Sequence, residues 1–338
     1  MFRGDANRAG NLPEPGPSRS PDIAWQVPLG GQTFSSAVVS SGLILSGSNT
    51  DQLIAVDQGS GEERWRFSTS GDISSTPGLA GNTAYFGSYD GFLYAVALGT
   101  GEERWRFDTG GSIHASPAIV EDTVLISGFS GFLFAIDAES GEERWRAQIA
   151  ADSNASPAVA GDLVVIAGST GVISAHSFET GVYRWGTQLA GPVFATPSII
   201  DNTIFVGDLT GVFWAISLVD GSVVWQSETG GMIYSSAAVA DGLVVFGSDD
   251  GSIYAFDVTS GNVEWQFSTG GQVRASPTID GERVYAGSYD NQLYALDLLT
   301  GDVLWQFDAG ASSTSPYTDS GRIYVNLING TLLSLEEQ

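Results

Sequence analysis

The chain has 338 residues, of which 11% are aromatic, 44 are glycine and none is cysteine, so it can fill a globular core but cannot form disulfides or cysteine-ligated zinc sites. Its formal net charge is −26, because 39 acidic residues are set against 13 arginines and no lysine. This surface repels phosphates and anionic lipids, which excludes nucleic acid as a general partner, and without a run of about 18 apolar residues we expect no membrane insertion.

Residues 1–21 are polar and rich in proline, and we interpret them as an N-terminal arm before a folded domain at 22–338. They contain no apolar stretch of the kind that a signal peptide needs. The sequence leaves open whether the arm plugs the domain or hangs free. The acidic composition suits either high salt or export. We favour an exported protein, periplasmic or extracellular, whose signal segment is absent from this chain.

Tryptophan recurs through the domain with a fixed period of 40 residues. The heptapeptide GEERWRF at 61–67 is repeated at 101–107 and returns as GEERWRA at 141–147. Only Trp214 falls outside the period. A period of this length indicates a repeat architecture. The members of the series are expected to be structural residues: Trp25, Trp65, Trp105, Trp145, Trp185, Trp225, Trp265 and Trp305.

Each unit contains four short runs rich in Val, Ile, Phe and Tyr, separated by Gly, Asp and Ser at turn positions. No helical period is present, so the unit predicts four short strands. Four antiparallel strands in each of eight units indicate an all-β fold, an eight-bladed β-propeller, which we expect to be monomeric.

The two ends of the domain predict how the ring closes. The last unit supplies three strands, SSTSPYT, RIYVNL and TLLSLEE, but no tryptophan-bearing fourth strand. A spare strand, DIAWQVPL, stands at 22–29. Pairing it with the last three strands completes the eighth blade and removes an open sheet edge, so its deletion should open the ring.

The heptapeptide GEERWRF predicts a tight turn followed by the outermost strand of a blade. Alternation along that strand puts Glu63, Trp65 and Phe67 on one face, and Arg64 and Arg66 on the other. The tryptophan would pack between blades, and the arginines would line a solvated outer edge that discourages edge-to-edge pairing. The alternative is a binding stripe of Arg and Glu side chains.

Several units resemble the PQQ-type propeller repeat of the quinoprotein-like superfamily. The clearest are GSYDGFLYAV (87–96), GSDDGSIYAFDVTSGNVEW (247–265) and GSYDNQLYALDLLTGDVLW (287–305). The resemblance covers 22–338, and FRGDANRAG near the start resembles a segment that precedes such repeats in many exported members. This resemblance implies that the chain belongs to one of two branches of the superfamily. Quinoprotein dehydrogenases hold pyrroloquinoline quinone and calcium, whereas the eight-bladed lipoprotein of the outer-membrane barrel-assembly machinery is a scaffold for other proteins.

In size and blade count the chain resembles the scaffold branch, although it lacks the lipid-bearing cysteine. The dehydrogenases are longer, many carry an adjacent cysteine pair, and their calcium ligands lie in insertions that this regular spacing does not hold. We therefore expect no cofactor and a protein or peptide partner. A small oxidoreductase using pyrroloquinoline quinone with calcium, and a purely structural surface domain, remain alternatives. No catalytic motif is present, and we assign no catalytic or metal-binding residue.

Two positions vary among otherwise similar blades. The first, before the A-S-P segment, gives the first ring: Phe34, Ser74, His114, Asn154, Phe194, Tyr234, Arg274 and Ser313. The second, in the loop between the second and third strands, gives the second ring: Asn49, Tyr89, Phe129, Ser169, Leu209, Asp249, Tyr289 and Ile328. Because both should open on one face, we predict a funnel at the mouth of the central channel, unless these positions simply drift without a role.

The funnel combines apolar area with a few polar groups, which is typical of a ligand or peptide site. Tyr234→Ala or Arg274→Ala should then weaken a partner and leave the fold intact. The predicted binding residues are Phe34, His114, Asn154, Phe194, Tyr234, Arg274, Tyr89, Phe129, Asp249 and Tyr289. Two places after the first ring every blade has Ser or Thr, which we interpret as a structural hydroxyl that satisfies backbone groups near the axis.

The remaining polar residues have structural interpretations. Asp90, Asp250 and Asp290 stand in D-G or D-N pairs, which are common in turns. We therefore interpret them as turn residues in preference to calcium ligands. His176 replaces an apolar strand residue and is expected to be partly buried, and Trp214 is expected to pack between blades. If the funnel forms, His114 lies on its rim beside Arg274 and Tyr234, but a lone histidine is weak evidence for catalysis.

Overall fold

The computed structural model describes residues 4–150 and 152–337. These residues form eight four-stranded antiparallel sheets and no helix, which confirms the predicted all-β, eight-bladed propeller. Seven sheets take their strands in chain order, and the eighth combines the first strand with the last three. Across the described ranges, no helix has the length and apolar character needed to span a membrane. Residues 1–3 of the arm lie outside the described residues.

The strands are numbered in chain order, with β2–β5 as blade 1, each following group of four as the next blade, and β30–β32 with β1 as blade 8. Their bounds are β1 Asp22–Pro28, β2 Val38–Ser40, β3 Leu43–Ser48, β4 Gln52–Asp57, β5 Glu63–Ser68, β6 Gly78–Ala80, β7 Thr83–Gly87, β8 Phe92–Ala97, β9 Glu103–Asp108, β10 Ala118–Val120, β11 Thr123–Ser127, β12 Phe132–Asp137, β13 Glu143–Gln148, β14 Ala158–Ala160, β15 Leu163–Ala167, β16 Val172–Ser177, β17 Tyr183–Gln188, β18 Ser198–Ile200, β19 Thr203–Gly207, β20 Val212–Ser217, β21 Val223–Glu228, β22 Ala238–Ala240, β23 Leu243–Gly247, β24 Ser252–Asp257, β25 Val263–Ser268, β26 Thr278–Ile279, β27 Arg283–Gly287, β28 Gln292–Asp297, β29 Val303–Asp308, β30 Tyr317–Asp319, β31 Arg322–Leu327 and β32 Thr331–Glu336.

The ring closes where the sequence predicts. Strand β1 pairs antiparallel with β32, from Asp22 opposite Glu336 to Pro28 opposite Thr331, with a register shift between Ile23 and Trp25. The spare N-terminal strand therefore becomes the outermost strand of blade 8, and no blade is left with three strands. Both termini of the domain are held by the same sheet.

The periodic tryptophans join neighbouring blades. Seven of their indole N–H groups donate to the carbonyl 33 residues further on, in the next blade, at 2.8–3.3 Å. Beneath each indole lies the turn glycine of that next blade. Gly101, for example, has a φ of 74°, and a Cβ there would lie 2.6 Å from the ring of Trp65. The G and the W of the repeat are thus two halves of one inter-blade contact.

The predicted alternation along the outermost strand is wrong for Glu63. The register shifts between Ala55 and Val56, so that Ala55 faces Trp65 but Val56 faces Glu63. This bulge turns Glu63 to the outer face, where its carboxylate pairs with Arg66 at 2.5 Å. Arg64 pairs with Asp57 at 2.6 Å. The outer edge of blade 1 is therefore a solvated surface of locally paired charges.

The arm crosses one end of the propeller and contacts one blade after another. Its backbone carbonyls accept one backbone N–H group from each of four innermost strands at 2.8–2.9 Å. The pairs are Val159 to Ala6, Ile199 to Asn7, Val239 to Ala9 and Ile279 to Gly10. These partners lie five residues beyond the first-ring positions of the same blades. The arm therefore covers the end of the channel opposite the predicted funnel, and we call this the covered end.

Arg8 is a buried cation of the covered end and bridges blades 3 and 4. Its side chain is fully buried, and its backbone is left-handed with a φ of 62°. The guanidinium donates to the carbonyls of Pro157 at 3.1 Å, Ser116 at 3.2 Å and Pro117 at 2.9 Å. Burial lowers the pKa of Arg8 to about 10, with an opposing effect of Asp5, so the side chain is cationic at neutral pH.

The C-terminal part of the arm is anchored on blade 7. The N–H of Gly16 donates to Oδ2 of Asp280 at 2.6 Å, and the indole of Trp305 donates to the carbonyl of Pro17 at 3.1 Å. Trp305 is thus the one indole whose partner belongs to the arm rather than to the next blade. The side chain of Asp280 is buried, which raises the pKa of its carboxyl group.

Candidate functional site

The constant hydroxyls form a ring around the axis, which we call the hydroxyl ring. In seven of the eight steps, the backbone N–H of one blade donates to the hydroxyl of the next at 2.9–3.1 Å. The steps are Ser36 to Thr76, Thr76 to Ser116, Ser116 to Ser156, Ser156 to Thr196, Thr196 to Ser236, Ser236 to Ser276 and Ser276 to Ser315. The predicted structural role of these hydroxyls is confirmed.

The first ring and the hydroxyl ring line a single cavity of about 200 Å³. All eight first-ring residues reach this cavity, and from the second ring it is reached by Tyr289 and Ile328. Phe34 and Phe129 expose 48% and 41% of their surface to solvent. The structure therefore places the two rings at one end of the channel, which we call the mouth.

Four predicted residues form a contact cluster at the mouth. Arg274 makes a bidentate pair with Asp249, with Nε 2.9 Å from Oδ1 and Nη2 2.8 Å from Oδ2. Its guanidinium carbon lies 4.5 Å from the ring centre of Tyr234 and 5.6 Å from that of Tyr289. Phe194 extends the aromatic surface by an edge contact with Tyr234 at 6.0 Å. The pair with Asp249 raises the pKa of Arg274.

His114 lines the same cavity but does not lie beside Arg274 and Tyr234. It belongs to the first ring four blades before Arg274, and so stands on the opposite side of the eight-bladed ring. Its ring contact is with Tyr89, at 6.0 Å between centroids. Burial lowers the pKa of His114, so the imidazole is neutral at neutral pH. Asn154, in the next blade, supplies an amide to the same wall.

Ser313 does not occupy the first-ring position that counting back from Ser315 predicts. A Cβ on Gly287 would lie 1.8 Å from its Oγ, just as a Cβ on Gly87 would lie 2.2 Å from Cγ2 of Ile113. Ser313 therefore takes the buried place that Ile113 has in blade 3, one residue before the first-ring position. Thr314, the next residue, also lines the cavity.

The aspartates of the D-G and D-N turns have structural roles. Oδ2 of Asp90 accepts the hydroxyl of Tyr94 at 2.8 Å and the N–H of Ser70 at 3.0 Å, while Oδ1 accepts the N–H of Phe92 at 3.0 Å. Asp250 and Asp290 repeat all three contacts in their own blades. The turn interpretation is confirmed, and the described residues contain no group of three or more metal-binding side chains.

The remaining tryptophan packs between blades as predicted, whereas the remaining histidine is more deeply buried than predicted. His176 is 2% exposed, with Nδ1 3.2 Å from the carbonyl of Gly181. Trp214 lies in the core between blades 4 and 5. It also donates to the buried carboxylate of Asp208 at 2.9 Å, a contact that the sequence analysis did not predict.

Arg8 and the hydroxyl of Thr314 in blade 8 were not predicted from the sequence, and Ser313 was predicted at a different position. The hydroxyls of Ser313 and Thr314 are buried and have no hydrogen-bond partner within the described ranges. Arg8 lies outside the repeat, so comparison among blades cannot single it out. The sequence shows that blade 8 lacks one residue before Ser315, but it does not show which residue of that segment is missing.

Eight four-stranded sheets that surround an axial cavity in a closed ring define the chain as an eight-bladed β-propeller. Residues 33–251, more than half of the chain, match the family described as the beta-propeller of beta-alanine-activating enzyme. Residues 227–338 match the family described as outer membrane protein assembly factor BamB. The chain belongs to this PQQ-like family of β-propellers, as its repeats predict. No curated protein sequence matches the chain significantly.

Solved structures of different activities share the fold. BamB from Moraxella catarrhalis superposes with a TM-score of 0.81 at 20% identity, covering 94% of this chain and 98% of that one. The computationally designed protein Ika8 gives 0.82 at 16% identity, with 92% and 98% coverage. Quinohemoprotein alcohol dehydrogenase from Comamonas testosteroni gives 0.84 at 15% identity, with 100% and 80% coverage. At these identities the likeness concerns the fold alone.

Proposed function

We propose that this chain is a non-enzymatic scaffold that binds a protein or peptide segment at the mouth of its channel. The observation that carries the proposal is the Arg274–Asp249 pair, packed against the rings of Tyr234 and Tyr289 at the cavity. Side chains that are already fixed lose little further freedom when a partner binds. Aromatic and arginine side chains are also the commonest anchors of protein interfaces.

The size of the cavity supports a chain segment as the ligand. At about 200 Å³ it is smaller than the roughly 300–1,000 Å³ of typical cofactor pockets. It would hold a side chain or the end of an extended chain. The match to a family described as an outer membrane protein assembly factor supports a protein partner and a place outside the cytoplasm. On this proposal the propeller acts as a monomer and needs no cofactor.

A quinoprotein oxidoreductase is the second candidate, favoured by the fold shared with quinohemoprotein alcohol dehydrogenase. Calcium takes about six to eight oxygen ligands and prefers carboxylates. At the mouth, Asp249 has both carboxylate oxygens bound to Arg274, and the other described polar groups of the cavity are hydroxyls, an amide and an imidazole. These residues do not fit a calcium ion, so we derive no quinone chemistry for this chain.

Binding of a random hexapeptide library to the immobilised protein tests the scaffold function. Tyr234→Ala and the double variant Arg274→Ala/Asp249→Ala should each lower retention by about tenfold. Arg274→Ala alone is unsuitable, because the side chain of Asp249 is only 5% exposed and would be left unpaired, contrary to the expectation that this change spares the fold. The matched control is Arg146→Ala, which removes a paired arginine from the outer edge and should leave retention unchanged. Equal losses in mouth and control variants would contradict the proposal.

Calorimetric titration with pyrroloquinoline quinone, with and without calcium, separates the two candidates. Scaffold function predicts no saturable heat at either low or high salt. Tight, calcium-dependent binding would overturn it in favour of the oxidoreductase.

A further inference from the structure

The channel is a closed cup rather than a pore. Its hydroxyl ring lies between the mouth and the arm, because Ser36, Thr76 and Ser315 line both the cavity at the mouth and a void of about 20 Å³ that also touches Gly10 and Leu12 of the arm. Beyond the ring, the arm covers the end of the channel. A chain that enters the mouth therefore stops at the hydroxyl ring and must present an end, a side chain or a tight loop.

The hydroxyl ring forms the floor of this cup, and this floor is rich in hydrogen-bond donors. Seven of its hydroxyl oxygens already accept a backbone N–H, and each hydroxyl keeps its own O–H to donate. Within the described ranges none of these seven hydroxyls donates to a protein acceptor. Ser313 and Thr314, 5% and 8% exposed, line the same cavity with hydroxyls that have no partner. An unsatisfied buried hydroxyl is costly, so an acceptor group at this floor would be stabilised.

The charge beneath the floor has the matching sign. Ser116 lines the cavity, and its carbonyl oxygen lies 3.2 Å from Nη2 of the cationic, fully buried Arg8. A buried charge acts strongly over short distances because the surrounding dielectric constant is low. At the mouth, by contrast, the charges of Arg274 and Asp249 cancel within one pair. A buried cation, on which the acidic group of Asp5 also acts, thus lies behind the floor inside a chain whose net charge is −26.

We propose that the floor of the channel binds a carboxylate, and that this carboxylate is the free C-terminus of the peptide segment held at the mouth. The inference rests on the proposed function. A chain terminus brings the acceptor oxygens to the hydroxyl ring, while the residues before it contact the aromatic side chains of the first ring, with Phe34 on one side of the mouth and Phe194 and Tyr234 on the opposite side. A free small carboxylate has the same head group but nothing to contact these aromatic side chains.

Two hexapeptide libraries of identical composition test the inference, one with free carboxyl termini and one with C-terminal amides. The free acids should bind the wild-type protein about tenfold more tightly than the amides. Thr314→Val should reduce this preference several-fold, because it replaces a hydroxyl of the cavity wall by a methyl group of similar shape. Thr318→Val is the matched control, since Thr318 is also buried and unpartnered in blade 8 but does not line the cavity. Arg8→Gln should abolish the preference, with circular dichroism to verify folding.

Each outcome bears on a separate part of the proposal. Equal binding of acids and amides, still lost in Tyr234→Ala, would overturn the carboxylate site and leave the scaffold function standing. No binding of either library would overturn both. Sodium acetate titrated at constant ionic strength identifies the source of the carboxylate. Weak competition by acetate supports a chain terminus, whereas acetate that binds as tightly as the peptides would assign the site to a free anion and overturn the terminus.

Discussion

The two ends of the central channel are built on the same eight strands but finished in opposite ways. At the mouth, side chains that differ from blade to blade remain partly exposed and contact one another across blade boundaries. At the covered end, the strands present their backbone N–H groups, and a segment outside the repeat pairs with them and buries Arg8. The repeat thus determines the channel. The variable positions of the repeat form the mouth, and the arm forms the covered end.

Of the changes considered, removal of the Arg8 side chain at the covered end should have the largest effect on the free energy of unfolding. Arg8→Ala leaves the carbonyls of Ser116, Pro117 and Pro157 without their donor and opens a cavity at the covered end. We expect the free energy of unfolding to fall by about 3 kcal/mol, measured by urea denaturation. Arg64→Ala, which removes an exposed paired arginine, should change it by less than about 0.5 kcal/mol. Similar losses in the two variants would show that the arm contributes no more than the outer edge.

Trp305 and Trp265 compare an arm-dependent indole with an ordinary one. The first donates to Pro17 of the arm, and the second to Leu298 of the next blade. Each Trp→Phe change should cost about 1–2 kcal/mol in the full chain. In a chain that lacks residues 1–19, the cost at Trp305 should shrink by about 1 kcal/mol and the cost at Trp265 should stay constant. An unchanged cost at Trp305 would mean that its hydrogen bond to the arm does not contribute to stability.

The fold and the mouth could be predicted because the repeat provides its own comparison. Eight copies show which positions are constant, such as the tryptophans, and which vary, such as the first ring. The bulge at Glu63 escaped prediction because a register shift depends on the pairing of two strands rather than on one strand's pattern. The place of Ser313 depended on which residue of the segment was deleted, and only the packing against Gly287 resolves that. The arm occurs once, so nothing in the sequence reveals which of its residues is buried.

At the mouth, a large side chain should be removable at little cost to the fold. Tyr234 contacts Arg274 and Phe194 but is only partly buried. Tyr234→Ala should lower the free energy of unfolding by less than about 1 kcal/mol in the same urea experiment, because contacts at exposed sites contribute little. A loss as large as that of Arg8→Ala would mean that the mouth is structural, and would remove the separation between stability and binding on which the scaffold proposal depends.

The smallest expected effect is a difference in pH dependence between the ends. Burial lowers the pKa of His114 at the mouth, so the unfolded chain binds more protons below its ordinary value of about 6.5, and stability falls as the pH drops through that window. Burial raises the pKa of Asp280 at the covered end, so its contribution has the opposite sign and stability increases as the pH falls through its folded-state value.

The His114→Gln variant should therefore lose less stability than the wild type between about pH 7 and pH 5. Asp280→Asn should lose the gain at lower pH, and His176→Gln, buried within blade 4, is the control for a histidine away from both ends. If His114→Gln followed the wild-type curve while His176→Gln did not, the imidazole at the mouth would be equally solvated in the folded and unfolded chains, and the mouth would be more open than its contacts indicate.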